Sequence, residues 1–289
     1  MDSQILTSSP ALTMTAVSHV ETEINNKLDG YEPRDSNDDT ARVLRAFLDY
    51  LPRDGRANLA DDITGCQTDG DLQSLASRLV EGLLLPMKMA NRPSHGDGGD
   101  IEKACMQRDG NICVVTQVYD VHQPAPDDKS MLTSYLAAVH ILPFLEEERS
   151  ASSGVWFNVR RYFPSMRSEL DDHHQVDGLY HNPRNVITLM DPLYRDFGDF
   201  RVSLEPTSNN NASHVYRLRT HRNFSTCLVP FLPENGLVTL TNHNNEKDEC
   251  PLPSPVLLET HAAIAQILDA TDGSTDIRRL LSVKFLRRR

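Results

Sequence analysis

Apolar residues recur at helical spacing in two segments of the first third of the chain. The first stripe lies on one face of a helix that Pro52 ends: Val43, Leu44, Phe47, Leu48 and Leu51. The second stripe predicts a helix near 72–85: Leu72, Leu75, Leu79 and Leu83. Residues 39–90 are therefore predicted to be helical. Residues 1–38 are rich in Ser, Thr, Asp and Asn, which predicts a disordered polar tail with at most a short helix around Val17–Leu28.

Strand-like and helical patterns are mixed in the rest of the chain. Residues 91–100 contain three glycines and no apolar period, so they predict a linker. Two apolar runs follow, Ile112–Thr116 and Leu136–Pro143. The C-terminal region, residues 208–289, is predicted to hold two strands of a small hairpin and two helices: His214–Leu218, Leu237–Thr241, Pro255–Leu268 and Asp276–Leu286. This mixture predicts an α+β fold.

The net charge disfavours a nucleic-acid partner. The chain has 29 Lys and Arg against 41 Asp and Glu, a net charge of −12, and its pI is near 5.3. A field of that sign repels phosphate backbones. The C-terminus is a local exception, because six cations follow Asp276: Arg278, Arg279, Lys284, Arg287, Arg288 and Arg289. Two interpretations stay open, a solvated helix end or a nuclear-targeting, phosphate-contacting tail.

The composition predicts a cytoplasmic protein with a packed core. Apolar residues make up 39% of the 289 residues. No run approaches the ~20 apolar residues of a membrane span, and no secretory signal is visible, so we expect no membrane partner. The five cysteines are odd in number and include no CxxC pair, which disfavours a disulfide framework or a four-cysteine zinc site. A nuclear location stays open because of the basic C-terminus.

Three motifs follow one another in the middle of the chain. They are RDGNICVVT at Arg108–Thr116, AAVHILP at Ala137–Pro143, and HNPRNVITL at His181–Leu189, which continues into FGDF at Phe197–Phe200 and LEP at Leu204–Pro206. Together they resemble the HNH endonuclease-like family, in the variant common in filamentous fungi. The resemblance covers residues 101–207. It implies a ββα-metal unit, in which a strand pair packs on one helix with the active groups between them.

The resemblance assigns roles to individual residues. His140 matches the histidine that acts as general base in family members, and an imidazole with a pKa near ~6.5 suits that role. Asn185 matches the family asparagine, which braces the loop. The final metal-binding histidine of the family is replaced by Tyr194, and the residue before the base is Val139, which cannot coordinate a metal. A phenol is a poor ligand for Mg²⁺, so the resemblance implies a degenerate site without a metal or other cofactor.

A substitute metal site stays open at this stage. Asp191 or Asp196 could serve if the alignment shifts by a helical turn, and the cluster Asp171–His174 offers further ligands. The cluster also has an ordinary interpretation as a solvated loop.

About forty-four residues separate His140 from Asn185, which is long for such a unit and implies an insertion able to line a pocket. Its aromatic residues form either the insertion's own core or a cleft for a flat molecule. The residues predicted to contact substrate are Trp156, Asp172, His174 and His181.

Three functions remain after these observations. The favoured one is a metal-independent enzyme, of cyclase or isomerase type, that performs acid–base chemistry on a small aromatic or polyketide-like natural product; the resemblance implies a place in fungal secondary metabolism. Its catalytic residues are His140, Tyr194 and Asn185. The alternatives are a metal-dependent endonuclease and a non-catalytic interaction module. The helical flanks, residues 39–90 and 255–286, either pack on the central unit or form a homodimer interface.

Overall fold

The computed structural model of the protein describes residues 10–90, 99–123, 131–143, 154–169, 179, 182–207, 214–244 and 250–271. Helices and short strands are mixed within these ranges, so the predicted α+β class is confirmed. Most of the predicted linker and the predicted helix near Asp276–Leu286 lie outside the described residues. None of the helices in these ranges has the length and apolar content that crossing a bilayer requires.

The N-terminal part of the fold is helical. In the described residues it consists of α1 Pro10–Asp29, α2 Thr40–Tyr50, α3 Arg53–Gly65, α4 Asp69–Leu79, a π-helical turn Val80–Leu84, and α5 Leu85–Ala90. The apolar stripe of α2 is buried as its periodicity predicts, with Leu44 and Phe47 fully inaccessible. Helix α4 begins at a capping box, in which the side chains of Thr68 and Asp71 each accept from the other's backbone N–H.

Helix α1 corrects the prediction of a disordered tail for residues 10–29, where the sequence predicts at most a short helix around Val17–Leu28. Ile24 and Leu28, one turn apart, are buried in the main core together with Tyr31. The Lys27 ammonium donates hydrogen bonds to backbone carbonyls at the end of α3, including that of Cys66 at 2.8 Å. Tertiary contacts of this kind, rather than a strong hydrophobic period, stabilise the helix.

The long segment between the two central strands joins the N-terminal helices. It contains α7 Gly154–Tyr162 and a 3₁₀ turn at Pro164–Ser168, and α7 packs against α3 and the π-helical turn. The Tyr162 hydroxyl donates to Asp62 of α3 at 2.7 Å. The Asn158 amide donates to the carbonyl of Arg78 at 3.3 Å, where the chain enters the π-helical turn. Residues 154–168 thus belong to the same core as residues 39–90.

The central elements are α6 Asp100–Arg108, a strand pair and a following helix. Strands β1 Tyr119–Asp120 and β2 Thr133–Ser134 form a short parallel pair. Strand β3 Leu136–His140 pairs antiparallel with β4 Val186–Met190, and α8 Asp191–Gly198 begins directly after β4. Helix α6 and helix α8 each contact both strands of the β3–β4 pair.

The apolar run Ile112–Thr116 forms a turn and not the predicted strand. Ile112 makes a single bridge to Tyr119, and residues 114–116 turn back on the chain. Gly110 and Asn111 before the run, and Gln117 after it, have positive φ values of 75°, 52° and 60°. Left-handed residues at both ends keep the run too short to extend a ladder.

The C-terminal part is a small sheet covered by one long helix. Strands β5 Val202–Pro206, β6 Val215–Thr220 and β7 Leu237–Thr239 form an antiparallel sheet in that order, so β5 joins the predicted hairpin as a third strand. A 3₁₀ turn at Thr226–Phe231 lies between β6 and β7. Helix α9 Pro255–Thr271 packs on β5 and on α2.

The largest apolar cluster of the described residues extends through all these parts. It includes Ile24 of α1, Phe47 of α2, Trp156 of α7, Leu189 of β4 and Leu268 of α9. The described helical flanks therefore pack on the rest of the same chain, which is one of the two arrangements left open by the sequence.

Candidate functional site

The candidate site lies where β3 ends. His140 is the last residue of β3 and is opposite Val186, the first residue of β4. Its side chain is half-buried. Side chains alternate along a strand, so His140 shares a face with Ala138, which packs near α6. Val139 lies on the other face and contacts the main core. The strand end holds the imidazole at the boundary between protein and solvent.

Asn185 fixes the turn that follows His140. Its Oδ1 accepts a hydrogen bond from the backbone N–H of Leu142 at 3.0 Å, and its Nδ2 donates to the Leu142 carbonyl at 3.2 Å. The Asn185 carbonyl also accepts from the N–H of Ile141 at 2.8 Å. Both polar atoms of this fully buried amide are bound to backbone. Asn185 therefore positions the end of β3 and has no group left for a substrate.

Tyr194 lies on α8, which contacts the same two strands. Its side chain is 6% exposed, and within the described residues its hydroxyl oxygen is buried without a hydrogen-bond partner. Burial raises the pKa of this phenol, the positive charge of Arg195 lowers it, and Asp191 raises it further. The hydroxyl therefore stays protonated at neutral pH. A buried hydroxyl without a partner costs about 1–3 kcal/mol.

The first motif forms a buried ion pair. The Arg108 guanidinium donates to Asp109 at 2.7 and 2.9 Å and is completely buried. It also donates to the carbonyls of Pro183, Pro251 and Val186. Asp109 in turn accepts from the backbone N–H of Thr188 at 3.0 Å. All these partners are groups of the protein itself, so the motif connects α6, β4 and the segment before α9.

Trp156 does not line a cleft, contrary to the prediction that it contacts substrate. The structure buries it completely in the core shared by α7 and the N-terminal helices, as it does Tyr162 and Phe163. Phe157 is the exposed aromatic residue of α7, at 58%. The buried aromatic residues of this segment lie on the side of α7 that packs against the core. The other predicted contacts, Asp172, His174 and His181, lie outside the described residues, as does the cluster Asp171–His174.

The two aspartates considered as substitute metal ligands have other partners. Asp196 is buried and accepts from the Ser225 backbone N–H at 2.9 Å and from Arg201 at 3.3 Å. Asp191 forms an ion pair with Arg195, one turn along α8, at 3.6 Å. Throughout the part of the chain that the structure describes, no three His, Cys, Asp or Glu side chains are grouped so that they could hold a metal ion.

A Ser–His–Asp arrangement that no sequence motif predicts lies at the C-terminal sheet. The Ser203 hydroxyl is 2.9 Å from Nε2 of His221, and Nδ1 of His221 is 3.8 Å from Asp269. Ser203 is completely buried within β5, and its hydroxyl and the His221 ring both have partners within the protein. The arrangement therefore connects β5, the end of β6 and α9 as a structural link.

A second buried histidine, His261, lies near the Ser–His–Asp arrangement. The His261 ring is stacked between Phe197 and Phe200, with ring centroids 4.0 and 4.6 Å away. Its Nε2 is 3.0 Å from the Phe197 carbonyl, and burial lowers its pKa to about 3. The spacing of these residues along the chain carries no signal of their contact.

Comparison of the chain with protein-family models, with curated proteins and with solved structures gives no match. The resemblance to the HNH-like family therefore depends on the three sequence motifs alone.

Proposed function

We propose that the protein is an HNH-like enzyme without a catalytic metal, in which His140 acts as general base and Tyr194 as general acid. The reaction is a cyclisation or isomerisation of a small aromatic or polyketide-like molecule. The order of elements supports this proposal, because strand β3 ends at His140 and its antiparallel partner β4 is followed at once by the helix that carries Tyr194. The same order is implied by the family resemblance.

The observation that carries the proposal is the Tyr194 hydroxyl. It is a buried, protonated donor without a partner among the described residues. Proteins rarely retain such a group, since satisfying it or replacing it by an apolar side chain removes the cost. A substrate oxygen on which negative charge develops would provide the missing acceptor. Tyr194 would then hold or protonate that oxygen.

His140 supplies the complementary step. An imidazole near neutral pKa removes a proton from a substrate hydroxyl or acidic carbon, and Asn185 fixes the strand end from which it acts. A neutral acid and a neutral base suffice for an isomerisation, because the proton taken at one end is returned at the other. The net charge of −12 is also better suited to a small molecule than to a nucleic acid.

Turnover of a panel of polyketide-derived phenols, measured by chromatography in the presence of EDTA, tests the proposal. An isomerisation gives a product of unchanged mass and altered retention. His140→Ala should lower the rate by about 10²–10⁴-fold, the usual contribution of a positioned base. Tyr194→Phe should lower it less and leave the fold intact. Wild-type rates in both variants would show that the chemistry lies elsewhere.

Plasmid nicking in Mg²⁺ or Mn²⁺ separates the alternatives. Nicking that EDTA stops and that His140→Ala abolishes would establish an endonuclease and overturn the proposal. Absence of both nicking and conversion of any phenol would favour the interaction module.

A further inference from the structure

Two cysteines that are 145 positions apart in the chain meet in the interior. The sulfur atoms of Cys105 and Cys250 are 3.8 Å apart, and the two residues are 0% and 1% exposed. They form a small apolar cluster with Val186 of β4, beside Ala138. Each thiol therefore has the other as its sulfur neighbour in a site closed by apolar side chains.

The backbone on both sides of the pair is held in place. Cys105 lies in α6, one turn before Arg108, and the Arg108 guanidinium donates to the carbonyl of Pro251 at 2.9 Å, directly after Cys250. The carbonyl of Cys250 accepts from the Asn242 amide at 3.1 Å. A disulfide requires the sulfurs to approach to about 2.05 Å. The two sulfurs therefore still have to move closer together, while these contacts hold the backbone on both sides.

We propose that Cys105 and Cys250 are a redox modification site that forms a disulfide when the protein meets a peroxide. One thiol reduces hydrogen peroxide, giving a sulfenic acid and water. The second thiol then attacks that sulfur, and the hydroxyl leaves with the second thiol's proton as another water molecule. The two thiols lose two electrons and two protons in total, and one peroxide becomes two waters.

The same environment keeps the site reduced under ordinary conditions. Burial raises the pKa of the Cys105 thiol to about 12, so little of the reactive thiolate is present. Hydrogen peroxide is far smaller than glutathione disulfide, so it reaches a buried sulfur more readily. Slow oxidation by peroxide, and slower oxidation by glutathione disulfide, is therefore expected.

Peptide mapping of the wild-type full-length protein tests the proposal. The protein is reduced, incubated with hydrogen peroxide, alkylated, and digested without reductant. The expected product is a Cys105–Cys250 linked peptide, two hydrogen atoms lighter than the free pair, together with a rise in Tm that a phosphine reductant reverses. Addition of oxygen atoms to either thiol without a linked peptide would overturn the proposal, as would two alkylated thiols after prolonged exposure.

Matched variants locate the effect. Cys227→Ser removes an exposed thiol and should leave both the linked peptide and the rise in Tm unchanged. Cys113→Ser removes another buried thiol and should also leave the linked peptide. Cys105→Ser should abolish the peroxide-dependent rise in Tm. Persistence of that rise in Cys105→Ser would show that another modification causes it, and the wild-type mapping stands by itself if this variant fails to fold.

Discussion

The buried ring of His261 makes stability depend on pH in a defined window. The ring is completely buried between two phenylalanines, and its pKa falls to about 3 because burial disfavours the charged form. In the unfolded chain the same group titrates near ~6.5. Below that pH the His261 ring binds a proton in the unfolded state but not in the folded state. The titration of His261 therefore leaves the free energy of unfolding nearly unchanged above pH 6.5 and lowers it as the pH falls below that value. Below about pH 3 the same group lowers it no further.

The size of the effect follows from the two pKa values. Linkage predicts that His261 removes about 2 kcal/mol of unfolding free energy between pH 8 and pH 5. Burial also lowers the pKa of His221, which acts in the same window. The lowered pKa of Asp62, by contrast, contributes only at more acidic pH, where carboxylates take up protons. A single titration of the wild-type protein would therefore mix several groups.

A comparison of two proteins isolates His261. Urea unfolding is measured from pH 8 to pH 5 for the wild type and for His261→Leu, which shares every other titrating group. At pH 8 the variant should be less stable by about 1–3 kcal/mol, because the hydrogen bond of the ring to the Phe197 carbonyl and its stacking on two phenylalanines are lost. This deficit should shrink by about 2 kcal/mol at pH 5. A deficit that stays constant over the whole range would show that His261 titrates normally and that the reasoning is wrong.

Two further predictions concern packing and the buried charge. Gly55→Ala should lower stability by about 1–3 kcal/mol or more in thermal unfolding, because its Cβ would overlap the Tyr162 carbonyl, whereas Gly65→Ala, with nothing within 4 Å, should change it little. Arg108→Met should cost about 3–5 kcal/mol by leaving Asp109 buried and unpaired, and adding Asp109→Asn should restore part of the loss. Equal stability of the two glycine variants, or no recovery in the double variant, would contradict these interpretations.

The helices whose apolar residues recur with a strong helical period could be predicted from the sequence. The elements that are stabilised by contacts with distant parts of the chain could not. The stripe of α2 identified its buried face, since Leu44 and Phe47 follow the helical repeat. Helix α1 was missed because its stability depends on Lys27 and the end of α3, nearly forty residues away. The same limit applies to Ile112–Thr116, where positive φ values at the flanks override an apolar run typical of a strand.

The candidate site shows a similar division. Spaced motifs placed His140 and Asn185 at one strand end, because an ordered series of short signals carries topology as well as chemistry. The aromatic composition around Trp156 is equally compatible with a cleft and with a core, and only the packing of α7 distinguishes them. No sequence motif or spacing links Ser203 to His221, or Cys105 to Cys250, so these contacts could not be predicted.

The packing of α9 on α2 has a consequence for synthesis of the protein. During translation, roughly 200 residues must follow α2 before α9 is made, which takes about 10–40 s at ribosomal rates of ~5–20 residues per second. Through that interval the apolar face around Leu44 and Phe47 lacks its final cover. The core can therefore be completed only after α9 has emerged from the ribosome, and until then the exposed face of α2 is open to non-native contacts.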